Sequence, residues 1–153
     1  MQNRVVEKLI EKGYHISFAE SCTGGLATGA LVGVADASKV LDVSFVTYAN
    51  EAKMRYLNVQ ESTIEAYGVV SEAIAYEMAQ GVAKEAGSQV GVGITGVAGP
   101  TGGTKEKPIG MVCFGFFVNG ETYTYTKRFG DIGRNEVRAK SVSFVYETLN
   151  ELI

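Results

Sequence analysis

Histidine is nearly absent from this chain of 153 residues: His15 is the only one. Any catalytic scheme built on a histidine base therefore has a single candidate. Cysteine is almost as scarce, with Cys22 and Cys113 alone and in no metal-ligand spacing. A zinc or iron–sulfur site and a disulfide framework are both excluded as expectations, so neither metal nor cofactor is expected and a reducing cytoplasm is the default compartment. Excess positive charge is missing too. The net charge is −3 and the pI about 5.2, whereas a nucleic-acid or anionic-membrane surface needs a basic footprint. No apolar stretch reaches membrane-spanning length, and the N-terminal run Met1 to Lys8 reads as an amphipathic helix start rather than a signal peptide.

What is present is ordinary globular material. Hydrophobic residues make up 46% and charged residues 20%, enough apolar content for one core without cross-links. Prolines number two and glycines nineteen, which suits short turns around a compact sheet. Val5, Val6, Leu9 and Ile10 recur at helical spacing and Gly13 ends that helix. Strands are expected at His15–Ala19, Val40–Ala49 and Gln89–Thr95, the last broken by glycines. Helices are expected at about Gly24–Gly33, Asn50–Leu57, Ser62–Tyr67, and from Ser71 to near Gly87. Asn119-Gly120 joins two further strands, Gly110–Val118 and Glu121–Phe129, because both residues tolerate positive φ. A last helix runs from about Arg134 to Ile153. The order predicts a three-layer α/β/α single domain over 1–153 with a mixed sheet, parallel first and antiparallel at the hairpin.

Four segments carry chemistry. Glu20-Ser21-Cys22-Thr23-Gly24-Gly25 lies where a strand gives way to a helix, and free N–H groups there suit an oxyanion beside a hydroxyl nucleophile. The plainer account is that Ser21 or Thr23 caps the helix. A Cys22 nucleophile would need His15, upstream in the first strand. Thr47-Tyr48-Ala49-Asn50-Glu51-Ala52-Lys53 puts a lysine close to an apolar strand end. Desolvation there lowers an amine pKa and makes a neutral general base, which a serine without histidine requires; a solvated lysine paired with a carboxylate is the alternative. Gly93 to Thr104 interleaves glycine with hydroxyls and could nest an anion, yet it has neither Walker A nor dinucleotide-fold spacing; a loop without a ligand fits it equally. Arg134 and Arg138 share one face of the last helix and suit a phosphate, or simply pair with surface glutamates.

Six ordered motifs resemble the CinA C-terminal domain family: Ala19 to Gly25, Val46 to Lys53, Gly68 to Glu72, Gly96 to Gly103, Lys107 to Gly110, and Gly133-Arg134 with Val137-Arg138. Together they span nearly the whole chain. Characterised members include nicotinamide-nucleotide amidohydrolases, so the resemblance implies conversion of nicotinamide mononucleotide to nicotinate mononucleotide and ammonia. It implies a Ser21 nucleophile and a Lys53 base, with Tyr48 as active-site tyrosine. It places Thr23, Gly24, Thr95, Gly99, Gly102, Gly103, Arg134 and Arg138 around the substrate. Ala49 stands where many relatives carry serine. Larger members have a further N-terminal domain, which this chain, starting at Met1 just before the shared region, is expected to lack. The family also implies a homodimer or higher homo-oligomer. Alternative outcomes are a nucleotide-binding module without turnover, or a partner-binding domain linked to competence and DNA damage.

Overall fold

The structure is a computed structural model describing residues 1–153. Its elements run α1 (Gln2–Lys12), β1 (Ile16–Glu20), α2 (Leu26–Val32), β2 (Phe45–Val46), α3 (Asn50–Leu57), α4 (Glu61–Tyr67), α5 (Glu72–Ala86), β3 (Val90–Gly96), β4 (Met111–Val118), β5 (Glu121–Arg128) and α6 (Arg134–Leu152), with a short 3-10 turn at Ala37–Lys39. The five strands form one sheet in the order β2-β1-β3-β4-β5. β1 is parallel to β2 and to β3, while β3–β4 and β4–β5 are antiparallel. The expected mixed sheet is therefore present, with α1, α2 and α6 against one face and α5, backed by α3 and α4, against the other. No helix is long and apolar enough to cross a membrane.

Side chains alternate across a strand with period two, and β3 shows what that alternation does in this fold. Val90, Val92 and Ile94 enter the larger core with Phe18, Leu31, Phe114 and Tyr146. The intervening Gly91 and Gly93 face α5. A Cβ on Gly93 would come within 2.5 Å of the Ala75 carbonyl oxygen and 2.8 Å of Met78 Cβ. The glycines that look like breaks in a strand are the seat on which α5 lies close to the sheet. α5 itself begins at Ser71, whose hydroxyl accepts from the Ile74 N–H at 3.3 Å, as an N-cap should.

Three of the boundaries that differ from the sequence reading bear on the site. β1 starts at Ile16, leaving His15 outside the strand to pair with Asp42 at 2.7 Å. The expected strand over Val40–Ala49 shrinks to Phe45–Val46 plus an isolated bridge at Leu41. It lies at the sheet edge, and Ser44 Oγ takes the Phe18 N–H in place of a ladder carbonyl. α2 starts two residues later than expected because Gly24 and Gly25 have φ of 56° and 100°, left-handed values that glycine adopts without strain. The hairpin residues Asn119 and Gly120 have φ of 44° and 98°, as their sequence requires.

Candidate active site

β1 sets the site's geometry. Ile16 and Phe18 point to the α2 face, so by the same alternation Glu20 does too. Its fully buried carboxylate reaches past the turn to the start of α2. It accepts from the Ala27 N–H (2.9 Å), the Thr28 N–H (2.9 Å) and the Thr28 hydroxyl (2.7 Å). Thus Glu20, rather than Ser21 or Thr23, satisfies the helix's orphan donors, and α2 has no side-chain cap from the turn. The N-cap account of Ser21 falls, and so does the idea that the α2 terminus itself waits for an anion. Sequence reasoning missed Glu20; its signal was a carboxylate in phase with the apolar residues of a buried strand.

Freed from capping, Ser21 meets Lys53. Lys53 Nζ donates to Ser21 Oγ at 3.0 Å, to the Thr47 carbonyl at 2.8 Å and to the Tyr48 carbonyl at 3.1 Å. The side chain is 1% exposed, and no carboxylate lies within ion-pair distance of it. Burial pulls its pKa down from 10.5 to about 8, with proximity to Cys22 opposing the shift. The solvated, paired lysine considered from sequence is not what the fold builds. The segment that holds it is tied back to β1, since the Thr47 N–H donates to the Glu20 carbonyl at 2.9 Å.

Ser21, Tyr48, Asn50, Lys53 and Thr95 line a hollow of about 200 Å³, with Val69 and Val70 as its apolar wall. A larger hollow of about 530 Å³ between α3 and α5 holds no serine, threonine or cysteine, so the chemistry points to the smaller one. Asn50 was not singled out in the sequence beyond its place in a motif. Thr95 Oγ donates to the Val69 carbonyl at 3.0 Å and ties the wall to β3. Cys22 also lines the hollow, but burial pushes its thiol up to about 11, which leaves it a poor thiolate source. His15 pairs with Asp42 at the opposite end of β1, so the Cys22–His15 pair does not form.

The remaining residues surround this centre. Tyr48 meets Lys53 through its carbonyl; its phenol is exposed and accepts from Arg134 Nη2 at 3.0 Å. The phenol makes no hydrogen bond to Ser21 or Lys53. Arg134 Nη1 donates to the Gly99 carbonyl at 2.7 Å, joining the glycine loop to the mouth of the hollow. Arg138 Nε and Nη2 donate to the Cys22 and Thr23 carbonyls at 2.9 and 3.2 Å, so neither arginine merely pairs with surface glutamates. A Cβ on Gly24 would lie 3.4 Å from Arg138 Nη2. Thr23 is buried, and its hydroxyl has no hydrogen-bond partner. Gly103 lines a different hollow, beside Ile109 and Gly130, and Gly102 lies on the same loop with φ of 89°. No three His, Cys, Asp or Glu side chains gather into a set that could hold a metal ion.

Comparison with known proteins agrees with the motif order. The family model for the CinA C-terminal domain matches residues 1–153. A CinA-like protein of Kosmotoga olearia is 46% identical over 147 residues, covering 96% of this chain and 35% of that protein. One from Dictyoglomus turgidum is 46% identical over 153 residues, with 99% and 35% covered. The chain thus spans about a third of the length of these curated relatives. Among solved structures, the competence/damage inducible protein CihA from Agrobacterium tumefaciens superposes with a TM-score of 0.95 at 41% identity, covering 99% of this chain and 92% of that one. A competence-damaged protein (CinA) superfamily protein from Escherichia coli gives 0.95 at 36% identity, covering 99% and 88%. With the full-length family match, these likenesses in sequence and in fold place the chain in the CinA C-terminal domain family.

Proposed function

We propose that the protein hydrolyses the carboxamide of nicotinamide mononucleotide to nicotinate mononucleotide and ammonia, with Ser21 as nucleophile and Lys53 as base. The observation that carries this reading is the 3.0 Å contact between Ser21 Oγ and a buried lysine without a carboxylate partner. A neutral amine has two N–H bonds and one lone pair. The Thr47 and Tyr48 carbonyls accept the two N–H bonds, which leaves the lone pair to accept the Ser21 proton. Two backbone carbonyls thereby orient the base.

Ser21 Oγ attacks the carboxamide carbon as its proton passes to Lys53. The Cys22 N–H follows directly on the nucleophile and is taken by no other backbone group; it is the donor best suited to the oxyanion, a contact worth roughly 3–4 kcal/mol in other hydrolases. The lysine proton then goes to the leaving nitrogen, and ammonia departs from the acyl-enzyme. Lys53 next takes a proton from water, whose oxygen attacks the ester carbon. The C–O bond to Ser21 breaks, and Ser21 regains its proton. No step needs a metal or cofactor.

The hollow of about 200 Å³ suits a pyridine carboxamide against Val69 and Val70, being smaller than the roughly 300–1,000 Å³ of a whole drug-sized ligand site. The ribose and phosphate would then extend past the mouth. There Arg134, exposed and using only two of its five N–H groups within the chain, is the cation available to the phosphate. Ammonia release from nicotinamide mononucleotide, measured beside calorimetric binding, tests the reading. Turnover abolished by Ser21→Ala with binding retained supports it. Full ammonia release by Ser21→Ala, or binding without turnover in the unaltered protein, refutes it.

A further inference from the structure

We propose that Arg138 is a positioning residue that holds the nucleophile turn, and that it does not serve the substrate's phosphate; this rests on the reading of Ser21 as nucleophile. The guanidinium reaches from the second turn of α6 to two consecutive carbonyls, Cys22 at 2.9 Å through Nε and Thr23 at 3.2 Å through Nη2. Its Nη1 donates to Asn135 Oδ1 at 3.0 Å. Every nitrogen of the group is thus engaged within the chain, whereas Arg134 stands exposed one helical turn earlier. Val137, fully buried, pins this part of α6 to the core.

The consequence for the turn follows from peptide geometry. A trans peptide points its C=O and its following N–H in opposite directions, and the chain's one cis peptide is at Gly99–Pro100. With the Cys22 carbonyl held by Arg138, the Cys22–Thr23 peptide cannot rotate without losing that bond. With the Thr23 carbonyl held as well, the two residues after Ser21 are fixed in succession. Glu20 fixes the other side of the same turn through Ala27 and Thr28. The left-handed Gly24 lies between these anchors, and its N–H donates to the Ser21 carbonyl at 3.1 Å, which holds the Ser21–Cys22 peptide as well, so a loop of small residues becomes a rigid platform for Ser21 Oγ and the Cys22 N–H. Lysine has one nitrogen on a flexible stem and lacks the planar fork that holds the Cys22 and Thr23 carbonyls through Nε and Nη2 while Nη1 stays on Asn135.

The test compares Arg138→Lys with Arg134→Lys on two substrates with the same amide, nicotinamide mononucleotide and the phosphate-free nicotinamide riboside. For Arg138→Lys the expected result is a fall in kcat of roughly a hundredfold, the scale of a misplaced reacting group, on both substrates alike. The preference for the phosphorylated substrate stays as in the unaltered enzyme. Arg134→Lys should lower that preference. A lost preference in Arg138→Lys, with riboside turnover unchanged, would overturn the proposal. A second readout needs no activity. Cys22 is 6% exposed and its carbonyl is the group Arg138 holds, while Cys113 is fully buried in β4. Cys22 labelling by iodoacetamide should accelerate about tenfold in Arg138→Lys as the turn opens locally, with Cys113 as the internal control for global unfolding. Unchanged Cys22 labelling would also overturn the proposal. Absent turnover in the unaltered protein would refute the amidohydrolase reading instead, and labelling would still decide the role of Arg138.

Discussion

Titration of Lys53 sets the rate's pH dependence if this amine is the base. Its pKa falls from 10.5 to about 8 through burial. At pH 7 an ordinary lysine is neutral in only about 0.03% of molecules, while one with a pKa near 8 is neutral in about a tenth, a gain of roughly 300-fold in working base. The expected kcat/KM for ammonia release climbs about tenfold between pH 7 and pH 9 and then levels off, because little amine remains to be deprotonated. Lys53→Arg keeps a positive charge and the reach to the carbonyls but cannot lose its proton. It should cost on the order of 10²–10⁴ in kcat, the usual contribution of a general base. The assay is coupled ammonia detection across pH 6 to 10.5 at matched ionic strength. A profile already flat at pH 6.5, one still rising past pH 10, or an active Lys53→Arg variant would each refute this role.

Other consequences can be measured on stability alone. The same Lys53 shift costs about 3 kcal/mol of folding free energy while the amine is charged in both states, below about pH 8. Between about 8 and 10.5 the unfolded chain holds a proton that the folded one has released, so stability rises with pH. Urea unfolding of Lys53→Met should lack that rise, and an identical pH dependence in both proteins would refute the burial of Lys53 as its cause. Glu20→Gln puts an amide N–H₂ against donors it cannot accept from; it should lower unfolding free energy by about 2 kcal/mol or more, visible as a lower urea midpoint. Gly93→Ala sets a methyl 2.5 Å from the Ala75 carbonyl oxygen and should cost about 3 kcal/mol as α5 is forced off the sheet. An unchanged midpoint there would mean that α5 does not sit close on β3.

The legible part of the fold was the part written in local pattern. Helical spacing gave α1, the Ser71 cap gave α5, and Asn119-Gly120 gave the hairpin, because each depends on residues that are neighbours in the chain. The short strand β2 was overestimated because its limits are set by Ser44 bonding to β1 across space. Gly91 and Gly93 read as interruptions, since nothing local announces a helix lying against them.

The site divides along the same line. Chemistry-bearing residue types are visible in sequence: a hydroxyl turn, a lysine near a strand end, scarce histidine, and motifs in family order were enough to name Ser21 and Lys53 and to imply the fold. Their separation in the chain says nothing about their separation in space. Only the parallel pairing of β1 with β2 brings the segment after Val46 beside the turn after Glu20 and sets Lys53 Nζ 3.0 Å from Ser21 Oγ. Burial, which lowers the lysine pKa, is likewise a property of the packed layers. So are the roles of Glu20, whose partners lie 7 and 8 residues on, and of Arg138, which reaches carbonyls 115 and 116 residues away along the chain. Residue type is fixed by sequence, but pKa and contact belong to the surroundings, and those exist only once the chain has folded.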